Sequence, residues 1–263
     1  MCKVKDFLSK LEEIAPLVYS DMQVKQGAYD NSGIIANNGS DVKSVLFSLD
    51  LSKSAIDKAI EIGADLIVTH HPAIYTPIAS LTFDGENKNL IRAIGNNINV
   101  ISMHLNLDVA PQGIDLQLAK ALGGTDLSCL QGLGVSDDVG YGKAFNVKEQ
   151  TLKEYVAYIK DKLNTQKVIA YGDNKVISVA SFCGGGASIA VQMLKDGILK
   201  NVDTIISSDL SHHHIYAILE SGKNAIIIPH YVAENYGFNK FFELVKEKNN
   251  QFKMAYFEDK AFM

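Results

Sequence analysis

Residues 63–75 read GADLIVTHHPAIY. Leu66, Ile67 and Val68 form a short apolar run that leaves through His70, His71 and Pro72, the pattern of a buried strand with polar groups at its carboxyl end. The same rhythm continues on both sides. VKSVLFSLD (42–50) reads as a strand, and SKSAIDKAIEIG (52–63) as the helix that returns the chain to DLIVTH (65–70). Downstream, NLIRAIGNN (89–97) reads as a short helix and NVISMH (99–104) as the next strand, followed by GIDLQLAKALGG (113–124), a helix stopped by two glycines. The second half repeats the alternation: TLKEYVAYIKDKL (helix), KVIAYG and KVISVASFC (strands), ASIAVQMLKDG (helix), VDTIISS (strand), HHIYAILESG (helix) and NAIIIP (strand).

Strand–helix alternation of this kind predicts an α/β protein of two similar lobes with mixed, largely parallel sheets. The stretch TDLSCLQGLGVSDDVGYGK (125–143) has no clear periodicity and reads as the boundary region. The expected lobes are residues 1–126 and 127–263, the last segment being available to pack back on the first lobe.

Composition narrows the function classes. The 263 residues are 47% hydrophobic and 21% charged, a globular balance. With 25 Lys and Arg against 30 Asp and Glu the net charge is -5, which offers no footprint for bulk nucleic acid or an anionic membrane. Three cysteines, an odd and sparse set, fit a reducing compartment rather than a disulfide framework. The opening MCKVKDFLSKLEEIAPLV reads as an amphipathic helix ending near Pro16, not as a signal peptide. No run of about 18 apolar residues suits a membrane span, and the expected location is the cytoplasm.

The seven histidines fall in four places. DLIVTHHP puts His70 and His71 just past a strand. NVISMHLNLD puts His104 at a strand end with Asp108 four residues on. NAIIIPHYVAE does the same with His230 and Glu234. Ligands in open α/β sheets collect beyond the carboxyl ends of strands, so residues distant in sequence can converge there. On an extended segment His70 and His71 face opposite sides, an arrangement suited to two ions rather than one. Asp108 and Glu234 supply carboxylates, one of which can bridge ions roughly 3.5–4 Å apart. Imidazole with carboxylate suits Zn, Fe, Mn, Co or Ni better than Ca or Mg. The excess positive charge of two such ions favours an anionic small-molecule substrate. Against this, a single histidine at a strand end is more often structural, and Asp108 alone also reads as a helix cap before Pro111.

His212, His213 and His214 are successive helical residues about 100° apart, so they cannot all reach one site. One of them is placed to move protons or touch substrate. Asp209 reads equally as an N-cap or a functional group. Cys183-Gly-Gly-Gly-Ala-Ser188 fits neither a Walker A nor a GxGxxG pattern; it reads as a tight structural turn, with a phosphate contact as the alternative.

Taken together, YDNSGII (29–35), SLDLS (48–52), GADLIVTHHPAIY (63–75), HLNLD (104–108), CGGGAS (183–188), SDLSHH (208–213) and IIPHYVAE (227–234) resemble the GTP cyclohydrolase 1 type 2 homologue family, also called Nif-three-like proteins. The resemblance runs essentially end to end. It implies two α/β lobes, a dinuclear metal centre in the crevice between them and a toroidal homohexamer. Residue by residue it implies His70, His71, Asp108, His230 and Glu234 as metal ligands, and His104 and His213 as further active-site residues. The family usually has Gly-x-Gly-Arg where this chain has Gly140-Tyr-Gly-Lys143, and Thr-Gly-Asp where this chain has Ser207-Ser208-Asp209; its Tyr before the late His is His212 here. These departures spare the ligand positions and fall on the expected substrate pocket.

The resulting expectation is a metal-dependent hydrolase acting on a nucleotide or another phosphorylated heterocycle. The competing readings are a metal-dependent phosphoesterase and a non-enzymatic metal- or partner-binding protein.

Overall fold

The computed structural model describes residues 2–83, 85 and 87–263. It is an α/β protein that divides into two units, residues 2–112 with 238–261, and residues 113–237 with 262–263.

In the first unit, α1 (Val4–Glu12) and α2 (Val18–Lys25) precede β1 (Gly33–Ala36), β2 (Ser44–Ser48), α3 (Lys53–Glu61), β3 (Leu66–Thr69), α4 (Lys88–Gly95), β4 (Asn99–Ser102) and the single-turn α5 (Leu105–Val109). The sheet order is β1-β4-β3-β2, extended beyond β2 by a strand from the far end of the chain, Lys253–Phe257, which is β11 in chain order. Only β1 runs antiparallel to its neighbour β4. Every residue of β2, β3 and β4 is buried, which is why these central strands read as continuous apolar runs rather than alternations. Helix α3 starts where Ser52 Oγ accepts the Ala55 N–H at 3.1 Å, satisfying one of the orphan donors of the first turn. Its Ile56 and Ala59 pack with Leu46, Ile67, Leu90 and Val100 into one core. On Phe47 of β2 sit Phe238, Phe241 and Phe242, with ring centroids 5.3–6.1 Å away.

The second unit holds α6 (Ile114–Ala121), β5 (Thr125–Gly132), β6 (Gly140–Gln150), α7 (Leu152–Lys162), β7 (Ile169–Tyr171), β8 (Val176–Ser181), α8 (Ala187–Lys195), β9 (Thr204–Ser207), α9 (His212–Glu220) and β10 (Asn224–Ile227). Helix α10 (His230–Lys248) begins here. The sheet order is β5-β6-β8-β9-β10-β7. Pairs β8–β9 and β9–β10 are parallel, and the others antiparallel. Its core gathers Ala180, Phe182, Ala190, Ile205, Ile218 and Ala225. Thr151 and Glu154 close a capping box at the start of α7.

Residues 125–143, which show no clear period in the sequence, mostly form the antiparallel pair β5–β6. β5 is an edge strand with no fully buried residue, so no face of it is consistently apolar, and the period that betrays a strand is missing.

Candidate metal centre

In the first unit the geometry begins where β3 stops. Thr69 is its last residue, and the N–H groups of both His70 and His71 then donate to the Leu49 carbonyl, at 3.1 and 3.0 Å. Two successive N–H groups can share one acceptor only where the chain has left the extended form. The two rings therefore lie together, with centroids 5.0 Å apart. The expectation that they face opposite sides is overturned, because it assumed a strand that ends one residue too early. His104 caps α5 just after β4 and brings its ring within 5.1 Å of His70 and 5.8 Å of His71. Ligand atoms of His70, His71 and His104 all lie within 4.8 Å of one another.

Each imidazole is tied by Nδ1 to an acceptor. His70 Nδ1 meets the Met103 carbonyl at 2.8 Å, His71 Nδ1 meets Asp50 Oδ1 at 2.7 Å, and His104 Nδ1 meets Asp30 Oδ1 at 2.8 Å. A carbonyl or carboxylate oxygen accepts, so Nδ1 carries the hydrogen, and Nε2 of the neutral ring keeps the lone pair. Metal-binding histidines are held in this way almost without exception. Burial pulls the Asp30 carboxyl upward, but hydrogen bonds from His104, Ser20 and Ser32 outweigh it and hold the group down at about 2. Asp30 is thus an anion under all ordinary conditions.

Asp108 is no cap. It lies inside α5, buried, with Oδ1 3.5 Å from His70 Nε2.

The second unit repeats the device. His230 is the first residue of α10, so Glu234 lies one helical turn along the same face. Its Oε2 is 3.0 Å from His230 Nε2, while His230 Nδ1 meets Asp209 Oδ2 at 2.8 Å. Asp209 is therefore a partner of His230, and Ser211 is the N-cap of α9. The glycine turn packs on this pair: a Cβ at Gly184 would run into Glu234 Oε1 and come within 3.4 Å of His230 Nε2. Cys183 N–H donates to Asp115 Oδ1 at 3.2 Å, anchoring the turn from below.

His213 belongs to the second unit as well. It is exposed in the first turn of α9, 2.9 Å from Ser211 Oγ, with its ring 4.1 Å from that of His214. Lys143 is the last residue of the Gly140-Tyr-Gly-Lys departure. It is buried within the second unit, with Nζ 2.6 Å from the Gly140 carbonyl, 3.0 Å from Cys129 Sγ and 3.8 Å from Asp115 Oδ2. Ser207 and Ser208 are buried as well. Sequence reasoning missed Asp30 and Asp50 as orienting groups. Both lie in quoted motifs, YDNS and SLDLS, but neither has a local spacing to the histidine it holds.

Histidine with carboxylate, each histidine oriented by a second group, is a donor set able to bind a divalent transition metal.

Comparison with known proteins places the chain. A Clostridium perfringens protein named GTP cyclohydrolase 1 type 2 homolog is 29% identical over 250 residues, 94% of this chain and 92% of that one. A protein of the same name from Clostridium acetobutylicum is 31% identical over 219 residues, covering 81% and 78% of the two chains. The crystal structure of a Staphylococcus aureus hypothetical protein shares the fold, with a TM-score of 0.85 over 98% of this chain and 96% of that one at 24% identity. Residues 2–260 match the model of one family throughout, and on that match the chain belongs to the DUF34/NIF3 (NGG1p interacting factor 3) family.

Proposed function

We propose that this chain is a dinuclear metal protein that hydrolyses a nucleotide-like or other phosphorylated heterocycle. His70, His71, Asp108, His230 and Glu234 ligate two divalent ions drawn from Zn, Fe, Mn, Co or Ni. The observation that carries this reading is the set of four imidazoles, each tied through Nδ1 to a carboxylate or a carbonyl. Histidines that serve packing alone have no need of such uniform orientation.

Bound divalent ions would lower the pKa of a coordinated water and neutralise anionic oxygens of the substrate. The chain's own residues supply the rest. His104, fixed by the ionised Asp30, is the proton carrier of the first unit, because a carboxylate on Nδ1 sets the tautomer of the ring and aims Nε2 away from it. His213, exposed at the start of α9, is the second proton carrier. Asp108 and Glu234, both buried, bring negative charge that a bound cation offsets. The homohexamer belongs to this reading through the family resemblance alone, and the cytoplasmic location through the sparse cysteines.

Elemental analysis of the purified protein tests the centre before any substrate is chosen. About two transition-metal ions per chain are expected, falling to a small fraction in a combined His71→Ala, Glu234→Ala variant. Full metal retention in that variant overturns the ligand assignment. Turnover of GTP and a nucleotide panel by the loaded protein, abolished by Asp108→Ala, is the expected catalytic result. Equal turnover after that change, or none in the parent protein, removes the hydrolase reading.

A further inference from the structure

The four residues Tyr29-Asp30-Asn31-Ser32 frame one side of His104, and each does something different. Asp30 holds the ring through Nδ1 at 2.8 Å. Ser32 Oγ accepts the His104 backbone N–H at 3.0 Å. Asn31 Nδ2 donates 2.8 Å to the Ile74 carbonyl and so ties this segment to the loop that follows His71. That tie sets Tyr29 beside Tyr75, with centroids 5.3 Å apart and planes at 59°. Tyr75 in turn stands edge-on to His104, with a centroid separation of 6.2 Å.

The two rings are 43% and 55% exposed. Exposed aromatic side chains held in place beside a polar, hydrogen-bonded cluster are unusual in a surface that serves only solubility. A tyrosine contributes a flat face that costs little conformational entropy to order, and it attracts another flat ring by stacking or by an edge-to-face contact. Here the segments that carry both rings are tied to each other and to His104, so a ring that lies on Tyr75 also lies beside His104.

We propose that Tyr29 and Tyr75 form an aromatic wall that receives the flat, unsaturated ring of the substrate and thereby sets specificity for heterocyclic over purely aliphatic phosphates. The proposal deepens the hydrolase reading and rests on it for the position of the phosphate. The wall itself is a property of the first unit alone. The tyrosines are specificity-determining residues: they carry no proton in the reaction, and Tyr75 meets the site through the ring of His104.

Equilibrium dialysis of the full chain with GMP, ribose 5-phosphate and guanosine tests it. GMP and ribose 5-phosphate share sugar and phosphate and differ by the ring, so their ratio isolates the wall. GMP is expected to bind about ten times more tightly, the order of one aromatic–base stack. A Tyr29→Leu, Tyr75→Leu variant should bring GMP down to the ribose 5-phosphate level and leave ribose 5-phosphate and metal content unchanged. A Tyr29→Phe, Tyr75→Phe variant keeps both faces and should keep the preference; it also serves if the leucine variant folds poorly. Equal binding of GMP and ribose 5-phosphate by the parent protein overturns the proposal, as does an equal loss of both in the leucine variant. Guanosine separates this failure from failure of the metal reading. If the protein holds no metal and ignores ribose 5-phosphate, binding of guanosine that disappears in the leucine variant still supports the wall, and absence of guanosine binding overturns it.

Discussion

Asp50 and Asp209 are partly exposed carboxylates, and each is bonded to the Nδ1 of a histidine, His71 and His230. As surface groups they add little to stability, because an exposed ion pair is worth about 0–1 kcal/mol. Their effect is on the ring: they choose the tautomer and fix its direction. Asp50→Ala and Asp209→Ala should therefore leave the urea midpoint nearly unchanged and weaken metal binding by roughly 10- to 100-fold. Competition with a chromophoric chelator measures this, and unchanged affinity in both variants would show that the two carboxylates orient nothing that matters. Legibility in the sequence differs sharply at this scale. His70, His71, His104 and His230 are visible because each follows an apolar strand. Asp30 and Asp50 are not, because the histidines they hold lie 74 and 21 residues away.

Among the elements, the turn between β8 and α8 couples backbone conformation to the candidate ligands. Gly184 has φ +55°, a left-handed conformation, and no room for a side chain because Glu234 Oε1 fills the space. Gly185, the next residue, has only Asp209 Oδ2 nearby, at 4.0 Å. The two positions form an internal control. Gly184→Ala is expected to cost about 1–2 kcal/mol from the left-handed backbone alone, and to lower metal content by displacing Glu234. Gly185→Ala should do neither. Calorimetry with elemental analysis reads both effects, and equal behaviour of the two variants would remove the link between turn and ligand. The same turn clarifies why CGGGAS resisted assignment from sequence. Gly184 is demanded by Glu234, and Gly186 by Tyr141 and Phe182, residues that approach only in the folded chain.

At the scale of the molecule, each unit has its own sheet and its own core, and among the described residues no helix is long and apolar enough to cross a membrane. The second unit carries a buried charged pair, Lys143 and Asp115. Burial pushes the Asp115 carboxyl up to about 6, although Lys143 and the N–H groups of Cys183 and Gly142 pull it down. A carboxyl with a raised folded-state pKa keeps its proton after the unfolded chain has lost it. Stability from this group is therefore greatest below about 4, falls as pH rises from about 4 to about 6, and is level above that. Urea unfolding across this range should show the decline in the parent protein and its loss in Asp115→Asn. Parallel pH curves for the two would contradict it. The Lys143 that stands where the family usually has Arg is thus a buried partner of Asp115.

The sequence by itself determined the α/β class, the order of most helices and strands, and the histidines and carboxylates at strand ends. These are local properties: a buried strand is a run of apolar residues, a helix start is a capping side chain, and both are written within about ten positions of chain. Tertiary structure alone decided the pairing of β11 with β2, the folding of residues 125–132 as an exposed edge strand, the common direction of His70 and His71, and the carboxylates that orient the rings. Each of those depends on groups far apart in sequence meeting at a few ångströms. No period or local propensity records such a meeting; packing of the completed core does.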